Sequence, residues 1–240
     1  MASSCRLASG AEWLGDLRTP IAQPTPRLTL VEVWAVVVAA GSGSRYGGPK
    51  QYEMLAGRRV LDWSVDAARK AADGVVLVVP PDRSADVEPA ADAVVAGGHR
   101  RSASVRAGLA AVPASADVVV VHDAARPLAS TDLFRAVIAA VASGADGAVP
   151  GVALTDTVKR VRDGVVEQTL DRDALVAVQT PQAFSAEVLR RAHAGEPDAS
   201  DDAALVEAIG GRVVVVPGDV ANVKLTTADD LADVEQAARR

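Results

Sequence analysis

Three short runs of β-branched and small apolar residues constrain this chain more than anything else in it: Val33–Ala40, Val75–Val79 and Val118–Val121. Each is too short for a helix of average length, and each stops at a turn signal or at polar residues: Gly41, Pro80-Pro81 and His122-Asp123. Apolar runs that do not alternate with polar residues are buried on both faces. Between them lie segments with helical periodicity. Val60–Ala72 places Val60, Leu61, Ser64, Val65 and Ala68 near one face, and Ser102–Ala111 is helical as well. Strands alternating with helices imply βαβ units, hence an α/β fold with a mainly parallel sheet. A helix is also expected around Ser84–Ala93, and a short strand at Val94-Val95.

The chain has 240 residues, 49% of them apolar and only 3% aromatic, enough for one large α/β domain. The formal net charge of −6 argues against nonspecific nucleic-acid binding, although a site can still be locally basic. Cys5 is the single cysteine, so neither a disulfide framework nor a cysteine metal cluster is available, and a reducing cytoplasm is expected. No apolar run approaches the roughly 20 residues that span a bilayer. Residues 1–32 contain Arg6, Arg18, Arg27 and three prolines with no periodic pattern and no apolar signal core. They are expected to form a disordered extension, leaving 33–240 as the domain.

In open parallel sheets, ligands bind beyond the carboxyl ends of the strands. The segment 36-VVVAAGSGSRYGGPKQY-52 is such an end, with four glycines beside Arg45 and Lys50. It is not a dinucleotide fingerprint, because Tyr46 occupies the third glycine position, and not a P-loop, because Pro49 stands where the lysine should be. Bare backbone N–H groups with two fixed cations nevertheless suit an anion; a turn with solvated basic residues is the alternative. The segment 121-VHDAARP-127 puts Asp123 at another strand end, suited to Mg²⁺ or to capping a helix. His122 reads as structural, and His99 and His193 read as surface residues. In 97-GGHRRSASVRAGL-109, Ser102 or Ser104 either binds a ligand or caps the following helix. Lys224 lies at a strand end, with Thr226 or Thr227 as a helix N-cap.

The alternation breaks at 154–179. Thr157–Val161 and Val165–Leu170 alternate in polarity across Asp163-Gly164, a strong hairpin signal. A lone hairpin is marginal in water, so this one should pack on its own domain or on a second subunit. Helices near Ala186–Ala194 and Asp201–Ile209, a strand at Arg212–Val216 and a helix at Ala228–Arg239 complete the pattern.

The segments AAGSGSRYGGPKQY, GGHRRSASVRAGL, VHDAARP, DTVKR, DRD…TPQAF, SDDAALVE and NVKLT, in that order, resemble the 2-C-methyl-D-erythritol 4-phosphate cytidylyltransferase family. The resemblance runs from about Val33 to the C-terminus. It implies a Rossmann-like nucleotidyltransferase domain with a projecting β-arm, dimerising through that arm. It implies CTP and methylerythritol 4-phosphate as substrates and Mg²⁺ as cofactor, while the acidic balance and the lack of a spanning run lead to no nucleic-acid or membrane partner being expected. Carried over residue by residue, Arg45 and Lys50 become the pair that stabilises the transition state. Ala39, Ala40, Gly41, Ser42, Gly43, Gly98, Ser104, Asp123 and Ala124 become nucleotide contacts, and Asp123 also holds the metal. Arg126 and Lys224 would contact substrate phosphates, and Thr157 and Arg172 would reach the sugar phosphate across the dimer. HDAARP together with TPQAF favours methylerythritol phosphate over ribitol 5-phosphate as acceptor. The sequence departs from the family pattern where Ala221, not an acid, precedes Asn222, which puts a second acidic contribution to the metal site in question.

Overall fold

The computed structural model describes residues 31–84, 86, 88 and 90–238. The expected disordered extension lies outside the described residues up to residue 30. Its last two residues belong to the domain: Val31 packs against the core, and the Glu32 N–H donates to Asp117 Oδ2 at 2.8 Å. The Asp117 N–H donates back to the Glu32 carbonyl at 2.9 Å.

The first valine run forms β1 (Val33–Val38), followed by a small hairpin, β2 (Met54–Leu55) with β3 (Arg58–Arg59). Then come α1 (Val60–Arg69), β4 (Gly74–Val79), β5 (Ala93–Ala96), α2 (Arg101–Ala111) and β6 (Val118–Asp123). The chain continues through α3 (Thr131–Ala142), β7 (Gly147–Ala153), β8 (Lys159–Arg162), β9 (Val165–Thr169), β10 (Val176–Val178) and β11 (Gln182–Ser185). It closes with α4 (Ala186–Ala192), α5 (Asp202–Ala208), β12 (Val213–Pro217) and α6 (Asp229–Ala238).

The main sheet runs β10-β7-β11-β6-β1-β4-β5, with β12 paired to β7. β6, β1, β4 and β5 are mutually parallel, as is β12 with β7, while β10 and β11 are antiparallel to their neighbours. The sheet is therefore mainly parallel, as the valine runs require. Side chains of β1 alternate between faces: Ala35 and Val37 join Leu61, Val65, Phe134 and Val137 under α1 and α3. Val36 joins Val105, Leu109, Leu189 and Val206 under α2, α4 and α5. Both faces are covered, which is why none of the six residues of β4 is exposed.

Two expectations fail, and two elements are unforeseen. Among the described residues at 84–93 no helix forms: a 3₁₀ turn, Pro81–Arg83, precedes the segment, and Ser84 and Ala90 lie in turns. Pro89 in the sequence lacks an amide donor and pushes Glu88 out of helical backbone, and Glu88 is instead paired with Arg59 at 2.8 Å. Neither Thr226 nor Thr227 caps α6; both donate their N–H groups to the Asp230 carboxylate, at 2.7 and 2.8 Å. α3 and β7 are absent from the sequence reading, although Ser130 carries an N-cap signature and its Oγ accepts the Leu133 N–H at 3.2 Å.

The hairpin across Asp163-Gly164 forms as β8 and β9. Both turn residues have positive φ, +49° and +78°, as a type I′ turn needs. It stands clear of the main sheet, and every residue from 159 to 169 is exposed.

Candidate active site

The carboxyl ends of β1, β4, β5 and β6 open on one cleft of about 1000 Å³. Backbone hydrogen bonds join those ends: the Ala39 N–H donates to Val78, Gly97 to Val79 and Ala124 to Val38.

The loop after β1 is shaped by one glycine. Gly43 has φ +68°, and a Cβ there would stand 1.7 Å from the Gly48 carbonyl oxygen, so no other residue fits. Its own carbonyl accepts N–H groups from Tyr46, Gly47 and Gly48. Gln51, 4% exposed, fixes both sides of the turn by donating Nε2 to the carbonyls of Ala39 at 2.7 Å and Gly41 at 3.1 Å. Across the cleft, Gly97 lets the β5 end come close: a Cβ there would lie 2.2 Å from the Ala40 Cβ. Ser104 does not cap α2. Its Oγ accepts the Gly98 N–H at 3.1 Å and so holds the second glycine loop. Ser102 turns away and donates to Asp198 at 2.7 Å.

Asp123 ends β6, with its side chain 12% exposed. Its Oδ1 accepts Arg101 Nε at 3.0 Å and its Oδ2 accepts Lys224 Nζ at 2.6 Å. Burial pushes the carboxyl up. The charges and hydrogen bonds of Arg101 and Lys224 outweigh burial and hold it well below the usual carboxylate range. Lys50 faces the same space. Burial, then the nearby charges of Lys224 and Arg45, lower its ammonium below the ordinary 10.5.

Lys224 arrives on a segment locked behind the cleft. Asn222 is fully buried and donates Nδ2 to the Thr180 carbonyl at 2.9 Å, while Gln179 Nε2 donates to the Asp219 carbonyl at 2.7 Å. Buried Leu225 donates its N–H to Ala125 at 2.8 Å. The TPQ and NVK segments thus meet as one unit. His122 is structural as expected: Thr180 Oγ1 lies 3.1 Å from its Nδ1, and the Arg126 carbonyl lies 3.2 Å from its Nε2. Burial lowers its pKa to about 4. His193, expected at the surface, is 5% exposed and bonded to Asp202 at 2.9 Å, because α4 and α5 fold over it. His99 is exposed at the cleft rim.

Of the residues singled out in the sequence, Ala39, Ala40, Gly41, Ser42, Gly43, Arg45, Lys50, Gly98, Ser104, Asp123, Ala124 and Lys224 line this cleft. Arg126 does not. It lies behind the lining, half-buried, and donates to the Asn222 carbonyl at 2.7 Å. Thr157 and Arg172 are on the exposed arm, away from the cleft of their own chain, where Arg172 donates to the Thr155 carbonyl. Arg101 and Gln51 are the residues that sequence reasoning missed as site residues. Arg101 stands beside Arg100 in the sequence, and only the fold turns one inward and leaves the other exposed.

A three-layer α/β/α domain that places a glycine loop, two cations and a paired carboxylate at its parallel strand ends is of the Rossmann-like nucleotidyltransferase class. A profile of IspD, 2-C-methyl-D-erythritol 4-phosphate cytidylyltransferase, matches residues 33–240. The chain belongs to that family. It is 43% identical to the 2-C-methyl-D-erythritol 4-phosphate cytidylyltransferase of Streptomyces avermitilis, over 86% of this chain and 91% of that protein. It is 46% identical to a bifunctional IspD/IspF enzyme of Clavibacter michiganensis, over 85% of this chain and 54% of that protein. The chain thus spans about half the length of the bifunctional relatives it matches. The solved structure of the Thermus thermophilus cytidylyltransferase superposes with a TM-score of 0.73 at 34% identity, covering 85% of this chain and 98% of that one.

Proposed function

We propose that the chain transfers a cytidylyl group from CTP to 2-C-methyl-D-erythritol 4-phosphate, forming 4-diphosphocytidyl-2-C-methyl-D-erythritol and pyrophosphate for isoprenoid precursor synthesis in the cytoplasm. The observation that carries this reading is the convergence of the glycine loop, Arg45 and Lys50 with the Asp123–Lys224 pair in one cleft.

Both reactants are anions, so their repulsion and the charge gathering at the α-phosphorus are the main obstacle. A phosphate monoester is already ionised near neutral pH, and no general base is required. Positioning and electrostatic stabilisation supply the catalysis. The bare backbone of Gly41–Gly43 admits the triphosphate, and Ser104 with Gly98 shapes the nucleotide end of the cleft. Lys50 and Arg45 meet the developing charge, and Lys224 neutralises substrate phosphate.

The residues fit a divalent cation shared with the nucleotide. No group of three His, Cys, Asp or Glu side chains is placed to hold a metal among the described residues. Asp219 does not line the cleft; its Oδ1 accepts the Ala221 N–H at 2.8 Å, and Ala221 has no ligand atom in its side chain to offer. One ionised carboxylate suits Mg²⁺, which takes one or two carboxylates and completes its shell with phosphate oxygens and water. Asp123 would hold it. When bound, Mg²⁺ withdraws charge from the phosphoryl oxygens.

The arm is read as a dimer contact that carries Thr157 and Arg172 to the acceptor in a second copy. Val161, Val165 and Val166 on it are 55%, 67% and 55% exposed, an apolar surface unsupported by its own chain. Incubating the protein with Mg²⁺, CTP and either methylerythritol 4-phosphate or ribitol 5-phosphate tests the acceptor, with products identified by mass. Product from methylerythritol phosphate is expected. Product from ribitol phosphate alone would move the protein to polyol-phosphate activation with the same mechanism.

A further inference from the structure

Asp123 is gripped by a series of side chains that the reaction above does not use: Arg101 in the cleft wall, with Asp202 and His193 buried behind it. Arg101 donates Nε to Asp123 Oδ1 at 3.0 Å and a terminal nitrogen to Asp202 Oδ2 at 2.7 Å. The Asp202 side chain is 1% exposed, and its Oδ1 lies 2.9 Å from Nε2 of His193, which is buried as well. The Nε and one terminal nitrogen of Arg101 are thus spent on the two carboxylates, and the third guanidinium nitrogen is buried. Arg101 acts through Asp123.

The two cations on Asp123 are unequal. Arg101 is shared between two carboxylates and fixed at both. Lys224 Nζ is bonded to Asp123 alone, its side chain is 39% exposed, and it lines the cleft. Charge supports the same division. Were Arg101 paired only with Asp123, the two would cancel and leave nothing to attract a cation. Asp202 supplies the balancing charge, so Asp123, Arg101 and Asp202 together keep one net negative charge, which Lys224 meets from the open side.

We propose that Arg101, anchored by Asp202 and His193, is a positioning residue: it locks Asp123 through Oδ1 and presents Oδ2 to the cleft, where Lys224 gives way to the divalent cation of the nucleotide complex. This rests on the reading of Asp123 as the cation's ligand. Outer ligand partners of this kind are typically worth about 10–100-fold in metal affinity or activity.

The test uses Asp202→Asn, which keeps the shape and an acceptor for Arg101 but removes the balancing charge, and Arg101→Lys, which keeps the charge but lacks the planar fork that meets the two carboxylates through separate nitrogens. Mn²⁺ binding in the presence of CTP and without acceptor is followed by electron paramagnetic resonance on the full chain, alongside kcat, KM for the acceptor, and Tm. Mn²⁺ affinity is expected to fall by about 10–100-fold in both variants, with kcat falling and acceptor KM little changed. Should Asp202→Asn fail to fold, His193→Leu and His193→Gln decide the matter. The leucine variant should lose Mn²⁺ affinity, and the glutamine, which restores a donor, should recover part of it. Wild-type Mn²⁺ affinity in every folded variant, with only Tm lowered, would overturn the proposal. If Asp123→Asn also binds Mn²⁺ as the wild type does, the reading of Asp123 as ligand falls with it. If Asp123→Asn loses binding while the relay variants do not, only the positioning role falls.

Discussion

Lys50 concentrates the electrostatic problem of the cleft in one ammonium group. It stands among Lys224, Arg45 and Asp123, half-buried, where its charge is expensive to keep until an anion arrives. Removing one preorganised donor from a developing oxyanion typically costs 10²–10³ in rate. Lys50→Ala should therefore lower kcat by about that factor, and steady-state kinetics with near-wild-type kcat would remove Lys50 from the mechanism. Burial and the neighbouring cations lower its pKa, so the protonated form is lost earlier on the alkaline side than for a free lysine. The kcat–pH profile should show an alkaline limb below 10.5 that Lys50→Arg moves upward. At this scale most of the cleft was legible: Asp123 ends β6 and the glycines lie just beyond the ends of β1 and β5, where sequence alone can place a ligand, and Arg45 and Lys50 follow in the loop after β1. Lys224, expected at a strand end, instead lies in the coil between β12 and α6 and reaches the cleft through the Asn222 and Leu225 anchors. Arg101 was not legible. Nothing in Arg100-Arg101 distinguishes the arginine that pairs with exposed Asp198 from the one that pairs with buried Asp202. His193 was misjudged for the same reason, since its partner nine residues on comes from another helix.

Elements with strong local chemistry were readable. The Asp163-Gly164 turn fixed the arm because two successive residues with positive φ are acceptable there and in few other places. Where a local signal was overridden by a distant partner, the reading failed: Glu88 was counted as helical but is drawn to Arg59 across 29 residues. The arm itself exposes Val161, Val165 and Val166 on a hairpin too small to be stable alone. Val165→Asp should leave far-UV circular dichroism unchanged and shift the protein from dimer to monomer by light scattering. It should also raise the KM for the acceptor more than that for CTP. An unchanged dimer would show that the arm is not the contact.

For the whole molecule, the α/β class followed from the valine runs and helical segments, but the strand order did not. β6, β7 and β11 become neighbours through packing of α3, α4 and α5, which no local pattern encodes. That packing buries His122 against Phe134, ring centroids 5.0 Å apart, and lowers the histidine to about 4. The unfolded chain takes up this proton near 6.5, the folded chain only near 4. Stability from this group is complete above 6.5 and drains away as pH falls toward 4. Tm should therefore drop across that window, and less so in His122→Gln. An equal drop in the variant would mean that other groups carry the acid sensitivity.

The central claim is that this cleft joins a nucleotide to a sugar phosphate by charge and position. The measurement that tests it most directly is pyrophosphate release by the purified protein with Mg²⁺, methylerythritol 4-phosphate and each of CTP, ATP, GTP and UTP in turn. Release with CTP and not with the other three is the predicted result. No release with any nucleotide, from a folded protein that still binds Mg²⁺ and CTP, would contradict it.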